Sequence, residues 1–423
     1  MSGRSVNAGF NKEVIAQDRG SIIAAMFKNR NLAILFFSLV VSMLGFGIII
    51  PILPFYVEKF GGGGLEMGML MTIFSAMQFV FSPVWGSLSD RIGRKPVLII
   101  GALGNALSLS LMGFATNYWI LFSARALAGV LSSATMPAAM AFISDSTDEK
   151  QRGGGMGIVG AAFGVGMTLG PGIGGVMADI SLQAPFFFAA GTSILAMALL
   201  WWSLPETLPR EKHSVEGRRV RGLDLQLMWK SLFGPIGFLL ILAFLHNFAL
   251  TNFEGIFGLY AQKRYDFDPP TIGLIMTIVG LVSAVVQGVL TGPATRRFGD
   301  SRVIKASLFA SILGFLSMLA APNLGWVLVT SGFFVFSNSM LRPGVASLTS
   351  KRTDIAQGAA MGLSNAFMSL GRIAGPLWAG NALDINLSYP FITGAIIMLA
   401  AGMASLFFLP HEVSPQADTS PAD

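Results

Sequence analysis

Gly86-Ser-Leu-Ser-Asp90-Arg91-Ile-Gly93-Arg94-Lys95-Pro96 is a short charged turn between two long apolar runs, and a worn copy of it, Gly292-Pro-Ala-Thr-Arg296-Arg297-Phe-Gly299, stands further along the chain. Met136-Pro137 recurs as Arg342-Pro343, and Gly170-Pro171 as Gly375-Pro376, all at an offset of 205 to 206 residues. Three matches in order at nearly one offset mark a duplication, so the chain reads as two similar halves. Around these turns lie apolar stretches of the length that crosses a lipid bilayer, about 20 residues each. They run over 33–57, 66–89, 96–115, 118–143, 153–178 and 185–204, then over 233–261, 271–293, 302–321, 325–349, 357–382 and 388–409. Helix is forced in such stretches, because lipid offers backbone polar groups no partner but their own chain.

Composition agrees. Of 423 residues, 53% are hydrophobic and only 12% charged, against about 25% charged in soluble domains, and the mean hydropathy is +0.66. The expected architecture is an all-α polytopic membrane protein of twelve helices in two pseudo-symmetric six-helix bundles. A cytoplasmic segment 1–32 precedes the bundle 33–204, a polar linker 205–232 leads to the bundle 233–410, and a polar tail 411–423 ends the chain. The first span is too long for a signal peptide and should remain in the mature protein.

The net charge of +6 reports topology and not a nucleic-acid partner. Lys and Arg crowd the segments before the first span, around Arg91, Arg94 and Lys95, in the linker, around Arg296 and Arg302, and at Lys351 and Arg352. The opposite loops hold only Lys59, Lys263 and Arg264. This positive-inside bias puts both termini in the cytoplasm of a cell whose inner membrane the chain spans. The absence of cysteine rules out disulfides and thiolate metal sites. No GxxxxGK[ST], HExxH or strand-borne GxSxG motif points to an enzyme.

Charges inside the spans are few. Glu254 is the one acid well within a span, and Arg125, Arg342 and Arg372 are the intramembrane cations. Such groups are costly in lipid and usually serve a pathway or a pair. Desolvation penalises a carboxylate's charged form, so Glu254 can take up a proton on one side and release it on the other. Asn247 lies two turns before it on the same helical face; His246 falls off that face and reads as a packed histidine. Gly166, Gly170 and Gly174 form a small-residue stripe on one helix, which lets backbones approach, and Pro171 adds a kink.

Taken together, the 86–96 turn, Arg125-Ala-Leu-Ala-Gly129, Gly164-Val-Gly166-Met-Thr-Leu-Gly170-Pro171-Gly172-Ile-Gly174-Gly175 and Gly47-Ile-Ile-Ile-Pro51-Ile-Leu-Pro54 resemble the signatures of the major facilitator superfamily, specifically its twelve-helix drug:proton antiporters. Phe253-Glu254-Gly-Ile-Phe-Gly-Leu259-Tyr260 and Met340-Leu-Arg342-Pro343 resemble the NorA-type multidrug exporters. The resemblance implies export in exchange for protons by rocking of the halves, and no cofactor beyond the proton gradient. It implies protons and small amphipathic substrates as partners, in a lipid-embedded functional monomer. It makes Glu254 and Arg125 proton-coupling residues and Gly86, Asp90, Arg91, Gly93 and Arg94 a conformational latch. Asp90 would then approach a helix N-terminus of the second half, and Gly166, Gly170, Pro171 and Gly174 would be the antiporter motif. The cavity would draw on Arg342, Asn247, Gln78, Met136, Tyr260, Phe334, Asn338 and Arg372, the last without support from the family pattern. Two departures stand out: Ser42 and Ser339 occupy positions where similar exporters place acids. One acid against three cations favours neutral, zwitterionic or anionic compounds, so a dedicated exporter or flippase of an anionic metabolite or lipid precursor stays open, as does a proton-coupled uptake symporter.

Overall fold

The computed structural model describes residues 30–147, 152–208, 225–353 and 356–409. The N-terminal segment before Arg30, the middle of the linker and the tail therefore lie outside the described residues. Among the described residues twelve long helices run across the molecule: α1 (Arg30–Ile49), α2 (Gly64–Ile92), α3 (Arg94–Gly113), α4 (Tyr118–Ser146), α5 (Arg152–Ala178), α6 (Ala184–Ser203), α7 (Gly237–Tyr265), α8 (Pro269–Phe298), α9 (Asp300–Leu319), α10 (Leu324–Arg352), α11 (Gln357–Ile385) and α12 (Tyr389–Phe408). Eleven are long and apolar enough to span a membrane. The twelfth, α11, has 29 residues and runs between α7 and α2, with Leu377, Trp378 and Ile385 left exposed. Twelve crossings return the chain to the face where α1 began, called here the terminal face; the other is the distal face.

The outer surface is apolar, as lipid requires. Trp202 and Phe407 are 80% exposed, and Val176, Leu195, Leu313 and Val329 also point outward. Proline sets the local departures from the expected spans. The first span is not one helix: α1 stops at Ile49, and Leu53–Lys59 forms a separate short helix, since Pro51 and Pro54 cannot donate to a continuing ladder. The seventh begins at Gly237, not 233, because Gly234-Pro235 form a turn. Before that turn the linker folds as a short amphipathic helix, Leu225–Leu232. Met228 packs inward with Ile236 and Leu240 while Trp229 stays exposed, the placement of a helix lying at a membrane interface.

Glycine lets the helices meet. A Cβ on Gly170 would lie 2.8 Å from Gly47 Cα, one on Gly166 2.8 Å from Leu44 N, and one on Gly174 2.5 Å from Ile48 O. The stripe therefore packs α5 on α1, within one half. The adjacent face of α5 crosses to the other half, where a Cβ on Gly172 would lie 2.7 Å from Thr277 Oγ1 and one on Gly175 2.6 Å from Pro269 O. In the second half Gly371 and Gly375 do for α11 and α7 what the stripe does for α5 and α1.

The halves meet on the distal side, along α5/α8, α2/α11 and the contact of Pro54 with Gly258. Thr72 Oγ1 donates to Ile373 O at 2.8 Å, and the Gln262 amide donates to Glu58. On the terminal face each half is tied internally. Arg94 donates to Asp145 at 2.9 Å and pairs with Asp90, while Glu206 accepts from the backbone N–H groups of Arg94 and Lys95. In the second half Lys351 and Ser347 both donate to Asp300 at 2.7 Å.

A Gly170→Ala variant should melt several degrees lower in detergent, since overpacking costs roughly 1–3 kcal/mol. Gly160→Ala, where a Cβ meets nothing within 4 Å on the same helix, should melt like the parent. Equal melting curves for the two variants would contradict the packing role.

Candidate functional site

The polar centre of the molecule is built on helix interruptions. α4 passes through a 3-10 turn at Ser132–Ala134 just before Met136-Pro137; α10 breaks at Met340, before Arg342-Pro343; and α8 carries a π-helical segment at Val286–Leu290. Extra or missing backbone bonds re-aim the side chains beside them, and π-bulges are frequent at functional sites. Within that segment Gln287 donates to Ser283 at 2.8 Å, and Ser283 shares a 2.9 Å hydrogen bond with Ser339.

In the terminal half of the second bundle the interruptions of α8 and α10 border a cavity of about 210 Å³. Arg342, His246, Gln287, Asn365, Ser364 and Met368 line it. Arg342 is accessible there, whereas His246 is 4% exposed. Behind the wall Asn338 is fully buried beside His246. Its two amide polar atoms and His246 Nδ1 have no hydrogen-bond partner among the described residues, leaving donors and acceptors unspent next to the cavity.

Glu254 lies further toward the distal face, half-buried on α7. Arg372 on α11 is the charge that acts on it, and Arg342 acts in turn on Arg372 and His246. Glu254 and Arg372 are not in contact as an ion pair; the guanidinium of Arg372 reaches only Ser369 Oγ, at 3.4 Å. Asn247 is buried one layer away, donating to Ala243 O. Glu254, Arg342 and Arg372 thus form one electrostatic cluster in the second half.

Arg125 stands apart from it. It is 1% exposed, donates to Leu70 O and Met71 Sδ at 3.3 Å each, and sits 4.6 Å from the Phe74 ring centroid and 5.9 Å from that of Phe46. Backbone, sulfur and ring faces, with no carboxylate, therefore balance this cation. Gln78 and Met136 are half-buried on α2 and α4. Two expected cavity residues lie elsewhere. Tyr260 is 1% exposed, its ring tilted against that of Phe391 at 4.4 Å, with its hydroxyl accepting from Arg264. Phe334 is fully buried between Phe253 and Phe315. Both fill the core of the second half, because their helices are apolar all round and only rotation decides which face meets the cavity.

Residues expected to form the latch make their contacts within one half. Asp90 pairs with Arg94 and Arg94 with Asp145, Gly93 adopts φ 107° to turn α2 into α3, and Gly86 faces Pro137. Among the described residues Asp90 makes no contact with the second half. Sequence reasoning missed Gln287, Ser283 and Asn365, whose signal is a polar side chain near a helix irregularity that periodicity does not register.

Two six-helix bundles joined by a linker, closed on one face and with a charged cluster and a cavity between the membrane surfaces, define a polytopic membrane transporter. The chain belongs to the major facilitator superfamily, whose model matches residues 35–268 and 239–423. It is 34% identical to multidrug resistance protein 1 of Bacillus subtilis over 89% of this chain and 95% of that one. It is 29% identical to the quinolone resistance protein NorA of Staphylococcus aureus over 90% and 97%. The crystal structure of the nucleoside transporter NupG superposes with a TM-score of 0.74 at 15% identity, covering 91% of this chain and all of that one.

Replacing Arg125 by lysine keeps the charge but gives up the planar stack and the forked donors. Arg125→Lys should lose roughly 0.5–2 kcal/mol, read as a lower melting temperature of the purified protein; an unchanged melting curve would refute this account of the burial.

Proposed function

We propose that the chain is a proton-coupled antiporter that exports small amphipathic compounds, several drugs among them, by alternating access. The observation that carries the coupling is Glu254, the one acid within the spans, set in the electrostatic reach of Arg372. Relatives named for multidrug and quinolone resistance over nearly their whole length support the substrate class. Basic residues concentrated on the terminal face support a cytoplasmic position for it, and with the halves in contact distally we take the site to be reached from the cell interior. Substrate enters there. A proton taken up by Glu254 from outside removes the negative charge that acts on Arg372 and favours return to the inward state, and proton release into the cytoplasm readies the site again. The proton gradient supplies the energy, and the transport unit is a monomer in the inner membrane.

A second reading rests on the accessible guanidinium of Arg342 at the cavity wall. With Arg372 close by and a single acid, the site suits carboxylate- or phosphate-bearing amphiphiles better than lipophilic cations, which describes a dedicated exporter of one anionic metabolite. Resistance to a broad panel of dyes and quinolones favours the first reading, and silence across that panel favours the second.

In energised vesicles acidified on the uptake side, adding ethidium should dissipate the pH gradient in the parent protein. Glu254→Gln should abolish that flux, at least about tenfold down, while the protein remains folded and inserted. A Glu254→Gln protein pumping at the parental rate would sink the role of Glu254.

A further inference from the structure

We propose that Asp384 is the latch that holds the distal gate shut, through the N-terminus of α2 in the opposite half. Gly64 N donates to Asp384 Oδ1 at 2.6 Å and Leu65 N donates to Oδ2 at 2.7 Å. Glu66 takes the preceding donor, Gly63 N, at 2.7 Å. One carboxylate oxygen thus serves each of the two N–H groups that open α2 and have no partner within the helix. Glycine makes this reach possible: a Cβ on Gly63 would lie 2.7 Å from Asp384 Oδ1, and one on either Gly64 or Gly380 would strike the other's carbonyl.

The position of Asp384 on its own helix argues for the cross-half role. It sits in the last turn of α11, which ends at Ile385, where the macrodipole disfavours an anion. Beside the first turn of α2 the same carboxylate is favoured. The contact that rewards this aspartate therefore belongs to the other half.

The duplicated half supplies an internal control. At the repeat offset of 205, Asp384 corresponds to Asp179 at the end of α5, and Gly64 and Leu65 correspond to Pro269 and Pro270 at the start of α8. Proline has no N–H to donate. α8 is capped instead by its own Asp268, which accepts from Thr271 N at 3.0 Å, and the Asp179 carboxylate makes no hydrogen bond among the described residues. The distal gate therefore has two quasi-equivalent seams, α2/α11 and α5/α8, of which only the first is latched by charge. Opening that face breaks both Asp384 bonds.

This inference rests on the alternating-access reading above. The chain has no cysteine, so spin labels can be placed directly at Thr116→Cys and Pro322→Cys, exposed distal positions on opposite halves. Distances are then read by pulsed electron resonance in nanodiscs. Asp384→Ala should raise the distal-open population by roughly two- to tenfold. Leu65→Pro leaves Asp384 in place, removes one of the two donors at a first-turn position that tolerates proline, and should give a smaller shift in the same direction. Asp179→Asn should give the parental distribution. The latch is overturned if the parent exchanges between two distances with pH or ethidium while Asp384→Ala and Leu65→Pro match it, or if Asp179→Asn shifts the distribution as far as Asp384→Ala. A parent and variants all fixed at one distance under every condition would instead remove the alternating-access reading, and the latch with it.

Discussion

Close approach of helix backbones at glycine is the constraint on which this molecule depends. In lipid no hydrophobic force draws one apolar helix to another, so association rests on packing and on the few hydrogen bonds between helices. Glycine gives such close approach at several seams, and four of them set the arrangement of the halves. Two hold the halves together internally, α1 on α5 and α7 on α11; two join the halves, α2 on α11 and α5 on α8. α5 and α11 serve one seam of each kind, on adjacent faces. The glycine–proline segments in these helices are therefore structural and conformational at once: the same residues that fix a bundle present the surface along which it moves against its partner.

The duplication explains the layout, and divergence explains the chemistry. Arg94 and Asp145 tie α3 to α4 on the terminal face; at the same offset of 206 the second half has Asp300 and Lys351, tying α9 to α10 with the charges exchanged. The tie was kept while its polarity was inverted. A pair at this place needs only opposite signs, so either arrangement serves. Asp90 and Arg94 likewise recur with exchanged charge as Arg296 and Asp300, but among the described residues only the first-half copy forms an ion pair. Glu254 and Arg372 have no charged counterparts at 49 and 167, which are Ile49 and Met167, so the electrostatic cluster was added to one copy of a neutral frame.

Most of this was legible before any coordinates. Span length, the repeat offset and the glycine–proline segments suffice for twelve helices in two halves, because lipid leaves so few alternatives. The failures are local. Pro51 and Gly234-Pro235 break helices inside apolar runs that hydropathy reads as continuous. Tyr260 and Phe334 sit on the right helices but the wrong faces, since a helix apolar on every side gives no periodicity from which to read its rotation. Gln287 lies in a π-helical segment, and Asp384 looked like an ordinary acid at a helix end. Its meaning depends on α2, 320 residues away, and one sequence contains no trace of that distance.

α2 gathers these threads. Its 29 residues span roughly 43 Å at 1.5 Å per residue, so one rigid helix reaches both faces. At the distal end its free N–H groups meet Asp384; at the terminal end it carries Asp90, which the family resemblance assigns to a contact made when the other face closes. In the conformation described, the first contact is made and Asp90 is occupied by Arg94. A carboxylate at a helix N-terminus contributes about 0.3–1 kcal/mol when exposed and up to ~2 kcal/mol when partly buried. Two such contacts, each available in only one state, leave the states within a few kcal/mol of each other. A ligand can shift an equilibrium only by its differential affinity for the two states, and a change from 1:99 to 99:1 needs about 5.5 kcal/mol. Weak, opposed contacts on one lever keep the requirement within what a single proton at Glu254 and one bound amphiphile can supply. A network of strong ion pairs on either face would place it out of reach.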